Sequence, residues 1–478
     1  MPRIHPHAGE QTDPGFIEAV AAILVDLDLP VDFPAEVLTE AQAAVRDLTL
    51  PDADHTDKPF VTIDPPGARD LDQALYIERD GSGFVVWYAI ADVGAFVRPG
   101  GALDLEAQRR GETVYAPDHR VPLHPPAISE DAASLLPEQD RPALVWELRL
   151  DDVGELVNAH VERGLVRSRA QYDYAAVQQA LDDGRADQVF ELLRTVGLLR
   201  LELERERGGI SLALPDQEVV VTDGRWSLAY AARLPVEQWN AEISLLTGMA
   251  AAQLMLYAEV GIVRTLPEPS RRTVTRLRRT AAALAIDWPQ PMDYPDFVRT
   301  LRPDRPEHAA MTRSCASMLR GAGYLSFEGG VPEQPGHAAL AATYAHATAP
   351  LRRLVDRYVG EVCLALCADR AMPQWITHRL PELPATMTAA RRRVASFERA
   401  VLDLVEAGLL ADRVGETFPA VVVEVEDDDA RRGVVVVPEP AVEASVLGAE
   451  ALPLGKSVQV RLAIADPASR RVVFELDG

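Results

Sequence analysis

Apolar residues recur at helical spacing near the start of the chain, where Pro14 to Leu27 carries Phe16, Ile17, Val20, Ile23 and Leu24. A second helical stretch runs from Pro34 to Leu48, and Asp52 to Lys58 is a polar linker. From Phe60 to about Val166 the pattern shifts to β-rich runs, among them Phe84 to Asp92 and Ala143 to Leu150. Helical periodicity returns over Asp187 to Arg207, which Gly208 and Gly209 end, and over Val236 to Val260. It continues over Arg271 to Leu284, His337 to Cys367 and Leu383 to Arg413. The tail, Gly415 to Gly478, reads as strands again, at Ala420 to Val425, Gly433 to Val437, Ser457 to Leu462 and Arg471 to Leu476. About five short strands in roughly sixty residues fit a small OB-type barrel. The pattern therefore predicts a small helical module over 1–57, of helix-turn-helix size. A mixed α/β (α+β) domain over 58–413 and an all-β barrel over 414–478 follow it. No internal repeat or low-complexity tract interrupts this order.

With 478 residues the chain has length for about three domains and ample core. No apolar run approaches the length of a membrane span, and the start lacks a basic region followed by a long apolar stretch. A cytoplasmic protein with no membrane segment is expected. Cys315, Cys363 and Cys367 form no CxxC pair and read as buried thiols of a reducing compartment. The net charge of -25 argues against a broad basic face for nucleic acid. Yet only Lys58 and Lys456 are lysines among the 48 basic residues. Arginine offers a planar fork for phosphate, so a narrow arginine-lined site remains open.

Two segments carry candidate chemistry. In Thr62 to Ala74, TIDPPGARDLDQA, a β-rich run ends at Asp64, and Pro65, Pro66 and Gly67 force a bend. Asp70 and Asp72 follow, two apart, so an extended segment points both the same way, and the bend brings Asp64 back towards them. Carboxylates crowded in this way repel unless a divalent cation lies between them, and hard oxygen ligands suit magnesium or manganese. In Tyr344 to Asp356, YAHATAPLRRLVD, Pro350 breaks the run just before Arg352 and Arg353. Paired arginines at a helix start aim guanidinium groups where anions are favoured.

Between these lies GETVYAPDHRVPLHPPAISEDAASLLP, and here the chain resembles the ribonuclease II and ribonuclease R family of RNB-domain 3′-to-5′ exoribonucleases. The matching marks are TID…D.D, YAIADV at Tyr88 to Val93, LDLEAQRRGETVY at Leu103 to Tyr115, VPLHPPAISEDAASLLP and the Tyr344 to Asp356 segment. They stand in the family's order, from about Phe60 to Arg413. The resemblance implies an RNB-type catalytic domain over 58–413 and a terminal RNA-binding OB barrel. Family members commonly begin with two cold-shock barrels; the residues ahead of Lys58 are too few for two, and their pattern is helical.

The resemblance also implies roles. Asp64, Asp70 and Asp72 match three of four catalytic, metal-holding aspartates; the fourth position is Gln73, a neutral ligand. Tyr115 matches the tyrosine that stacks on the 3′-terminal base, and Arg352 the arginine on the scissile phosphate, with Arg353 beside it as an RNA contact. Glu242, in WNAEISLLTGMA, matches a glutamate that touches ribose, although the family's usual asparagine six residues on is Gly248. The implied activity is magnesium-dependent (or manganese-dependent), processive hydrolysis of single-stranded RNA to nucleoside 5′-monophosphates. A more open entrance would admit duplexes with a 3′ overhang. No obligate protein partner is evident, and a monomer is expected. Gln73 motivates the alternative of a catalytically impaired RNA-binding protein on the same fold.

Overall fold

Phe60, Val61, Thr62 and Ile63 are all buried, so the strand they form lies inside the protein and reaches half-exposed surface only at Asp64. In the computed structural model, residues 14–117, 119–212, 216–222, 225–231, 233–302, 304–319 and 321–476 are described. This strand, β2 (Phe60–Asp64), follows β1 (Ala53–Asp54) and precedes β3 (Gln73–Asp80) and β4 (Gly83–Ala91). After the short hairpin of β5 (Val114–Tyr115) and β6 (Arg120–Val121) come β7 (Asp140–Leu150) and β8 (Leu156–Asp173). The large sheet runs β1-β8-β2-β3-β4-β7. The long β8 bends so that Leu156 to Arg167 pairs with β7 while Ser168 to Asp173 pairs parallel with β2, curling the sheet on itself.

Helices pack against this sheet and beyond it. They are α1 (Pro14–Asp26), α2 (Ala35–Arg46), α3 (Ala102–Arg110), α4 (Tyr174–Asp182), α5 (Gln188–Arg207) and α6 (Pro235–Tyr257). Then come α7 (Arg271–Ala283), α8 (Tyr294–Arg299), α9 (Pro306–Ala316), α10 (Leu354–Cys367), α11 (Gln374–Arg379) and α12 (Leu383–Leu410). Apolar residues of α5, α6 and α10 share one core with β3, β4 and β7. That core buries Trp146 and Tyr358 completely.

The tail forms a closed five-stranded barrel, as its pattern predicts: Thr417–Val425, Arg432–Val437, Val442–Leu447, Ser457–Asp466 and Arg471–Leu476. Val442–Leu447, absent from the expected strands, pairs parallel with Arg471–Leu476 to close it. Among the described residues no helix is long and apolar enough to cross a membrane.

Three expectations change. The two N-terminal helices go to different cores: α1 joins α12 and the barrel, whereas α2 packs beside α3 and the sheet. Phe60 to Val166 is not strand throughout, since α3 and a stretch over 122–139 with a short helical segment at Ile128–Ala132 interrupt it. The helix expected over His337 to Cys367 begins only at Leu354. Upstream of it lie Gly336–His337 and Ala342–Thr343, two short paired strands, and a loop through Pro350. Proline lacks the N–H and the tolerance for a preceding helical residue that a continuous helix needs.

Candidate active site

The strand β2 delivers Asp64, and the turn after it redirects the chain. Ala68 donates its N–H to the Pro65 carbonyl at 3.1 Å, and Gly67 adopts φ +76°, where a side chain would be strained. The returning segment is pinned at Leu71, which is fully buried. Its N–H donates to Ser134 Oγ at 3.0 Å, and its carbonyl accepts Leu135 N–H at 3.0 Å. Asp70 and Asp72 flank that anchor.

The proline-arginine segment meets the aspartates from the other side. Leu351 N–H donates to Asp72 Oδ1 at 2.8 Å, and Arg352 Nε stands 3.4 Å from Asp72 Oδ2. Gln73 Nε2 donates to the Thr348 carbonyl. The same segment pairs with the stretch that carries Tyr115: Leu354 N–H bonds the Gly111 carbonyl and Thr113 N–H the Arg352 carbonyl, each at 3.0 Å. Gly111 is needed there, because it has φ +74° and a Cβ would collide with that of Ala390 on α12. Tyr115 then reaches Asp70, its hydroxyl donating to Oδ2 at 3.1 Å. Asp64, Asp70, Asp72, Gln73, Tyr115 and Arg352, distant in sequence, are thus neighbours.

The electrostatics are those of carboxylates forced together. Burial, and then the charge of Asp70, push the Asp64 carboxyl up to about 7 against the pull of Arg352. Burial pushes Asp72 up to about 8, with Arg352 and the Leu351 N–H opposing. Asp64 Oδ2 is sealed from solvent without a hydrogen-bond donor. An orphaned carboxylate oxygen amid mutually repelling acids fits a divalent cation, which would satisfy the lone pairs and cancel the repulsion. Among the described residues no three such groups already stand as a closed cage. Asp70 and Asp72 are turned towards donors of the chain itself.

Two expected contacts differ. Arg353 grips Asp356 with both arms, at 2.9 and 2.8 Å, and Asp356 also accepts the Ala349 N–H at 2.8 Å. Its guanidinium therefore secures the loop that presents Leu351 and Arg352, with its fork committed to Asp356. Glu242 is buried against α5, where Glu204, Arg200 and Arg207 act on it. Burial in that setting raises its carboxyl to about 7, and one of its oxygens lacks a donor. The face of α6 towards the aspartates instead carries Asn240 and Ser244. Asn240 Nδ2 donates to Tyr174 Oη at 3.1 Å, and Ser244 Oγ pairs with Tyr88 Oη at 2.8 Å. Both tyrosines lie within reach of the Asp64 charge. Residues two apart on a helix point to nearly opposite sides, so Glu242 cannot share that face. Sequence reasoning missed Asn240, Ser244, Asp356 and also Arg120, whose guanidinium donates to Asp70 Oδ1. Only Asp356, an acid in the first turn of α10, gave a local signal.

Known proteins match this chain in sequence and in fold. The RNB domain model fits residues 53–367, and that of the RNase II-type exonuclease C-terminal S1 domain fits residues 416–477. Ribonuclease R of Escherichia coli (strain K12) is 30% identical over 415 residues, covering 81% of this chain and 49% of that protein. The chain thus spans about half the length of that relative. Among solved structures, Mycoplasma genitalium RNase R in complex with ribose methylated single-stranded RNA superposes with a TM-score of 0.86 at 20% identity, covering 97% of this chain and 78% of that one. The complex of the same enzyme with double-stranded RNA gives 0.83, also at 20% identity, covering 97% and 84%. At that identity the likeness is one of fold.

Proposed function

This chain belongs to the RNB-domain family, and on that premise we propose that it is a divalent-metal-dependent 3′-to-5′ exoribonuclease. Its substrate is single-stranded RNA, degraded processively to nucleoside 5′-monophosphates. The observation that carries this reading is the meeting of Asp64, Asp70 and Asp72 with Arg352 and Tyr115 in one half-buried site.

Asp64, Asp70 and Asp72 would hold magnesium, with the Gln73 amide oxygen as a neutral fourth donor. When bound, such ions activate water and neutralise the leaving oxygen. Arg352, whose side chain is 45% exposed, extends from Asp72 towards solvent and can grip two phosphate oxygens as charge develops there. Tyr115 offers its ring to the terminal base, which sets the next phosphate at the aspartates; stacking accepts any base, so sequence preference is slight. Asp356 and Arg353 keep the loop in place. The Mycoplasma genitalium complexes with single- and double-stranded RNA support an RNA substrate, and a duplex with a 3′ overhang is the second substrate we propose.

A catalytically impaired RNA-binding protein is the second reading. It rests on Gln73, which brings no charge where the family has an aspartate and commits its Nε2 to Thr348. One assay separates the two: 5′-labelled single-stranded RNA with and without magnesium. A ladder that shortens only with magnesium supports the exonuclease; a gel shift without cleavage supports the binding protein.

A further inference from the structure

Tyr115 and Arg120 are directly paired across β5 and β6, and both side chains end on Asp70. The hydroxyl donates to Oδ2 and the guanidinium to Oδ1. Both oxygens of this carboxylate are therefore occupied by donors of the chain, while its neighbour Asp64 keeps an oxygen with none. Arg120 has a second carboxylate at hand: its Nε lies 3.4 Å from Glu130 Oε1. Glu130 is itself tethered, its carbonyl 3.5 Å from an Arg69 guanidinium nitrogen. The guanidinium thus stands between one acid of the cluster and one outside it, and its side chain is only 18% exposed.

We propose that Arg120 is a positioning residue that occupies the place of the cation at Asp70 and withdraws to Glu130 when a divalent ion binds. The proposal deepens the metal-dependent reading above and rests on it. Without an ion, three acids in one pocket repel, and an internal cation at Asp70 relieves part of that repulsion. With an ion, Asp70 would hold two cations that repel one another in a half-buried pocket, so ion capture and the Arg120 pair compete. Glu130 sets the balance by giving the displaced guanidinium a partner; otherwise a buried charge would be left alone, which is costly. The hairpin also links capture to substrate, because Tyr115 shares the same carboxylate.

The test is manganese binding by isothermal titration calorimetry on the full chain without RNA. Arg120→Gln removes the competitor and is expected to bind Mn²⁺ about tenfold tighter than the parent, and Arg120→Lys, which keeps the charge, should stay close to it. Glu130→Gln removes the resting place and is expected to bind Mn²⁺ several-fold more weakly, so the idea stays testable if Arg120→Gln misfolds. Parental binding with unchanged or weaker affinity in Arg120→Gln, or with no loss in Glu130→Gln, overturns the proposal and leaves the metal site standing. A folded parent that binds no Mn²⁺ overturns both.

Discussion

Leu351 donates its backbone N–H to Asp72 Oδ1 at 2.8 Å, joining two segments 279 residues apart. The side chain that follows, Arg352, lies against the other oxygen of the same carboxylate. One aspartate is thus positioned by the loop that supplies Arg352, so the proposed metal capture and phosphate recognition share one anchor.

Asp72→Asn should abolish hydrolysis while leaving RNA binding intact or tighter. The amide still accepts from Leu351 but brings no charge to an ion, and it lessens repulsion of phosphate. Cleavage within about tenfold of the parent, measured with magnesium in excess, would remove Asp72 from the reaction centre.

Tyr115 has two separable parts. Tyr115→Ala removes the ring and should change the length of the final product more than the initial rate, since stacking is worth about 1–3 kcal/mol per base. Tyr115→Phe keeps the ring and loses only the bond to Asp70, so its end product should match the parent. Identical end products from Tyr115→Ala and the parent contradict the clamp.

Glu242 gives a pH signature on the α5 side of α6. Its carboxyl, raised to about 7 by burial and by Glu204, is stabilising while protonated. That contribution is complete below its ordinary value of about 4.3 and is lost as pH rises through about 7. Glu242→Gln, neutral at every pH, should melt close to the parent at low pH and above it at pH 8. Equal melting temperatures at pH 8 would show that the buried carboxyl carries no such penalty.

Much of this site was legible because its parts are written locally. Pro65, Pro66 and Gly67 announce a turn whatever lies around them, and Asp64, Asp70 and Asp72 stand on either side of it. Pro350 likewise marks the arginine loop. The barrel showed through its alternation and short turns, although Val442–Leu447, which pairs antiparallel with Arg432–Val437 and parallel with Arg471–Leu476, escaped notice. What stayed hidden depends on which side of an element faces the site. Asn240 and Ser244 look no more functional than Glu242 until α5 is seen to cover one side of α6. Arg120 was one arginine among many, and only the pairing of β5 with β6 sets it beside Tyr115 on Asp70. Arg353 was read with Arg352 as a pair, but adjacent residues diverge at a helix start, and Asp356 takes the second.

The most direct measurement of the central claim is the single-turnover cleavage rate of Arg352→Lys and Arg352→Ala beside the parent, on RNA bound before magnesium is added. A guanidinium fork holds two phosphate oxygens in fixed geometry, whereas an ammonium is a point charge on a flexible stem. Both variants should therefore fall by about 10²–10³, with lysine almost as damaging as alanine, while RNA binding without magnesium weakens only modestly. Rates near the parent in both variants, or rescue by lysine, would contradict the assignment of Arg352 to the phosphate at the aspartate cluster.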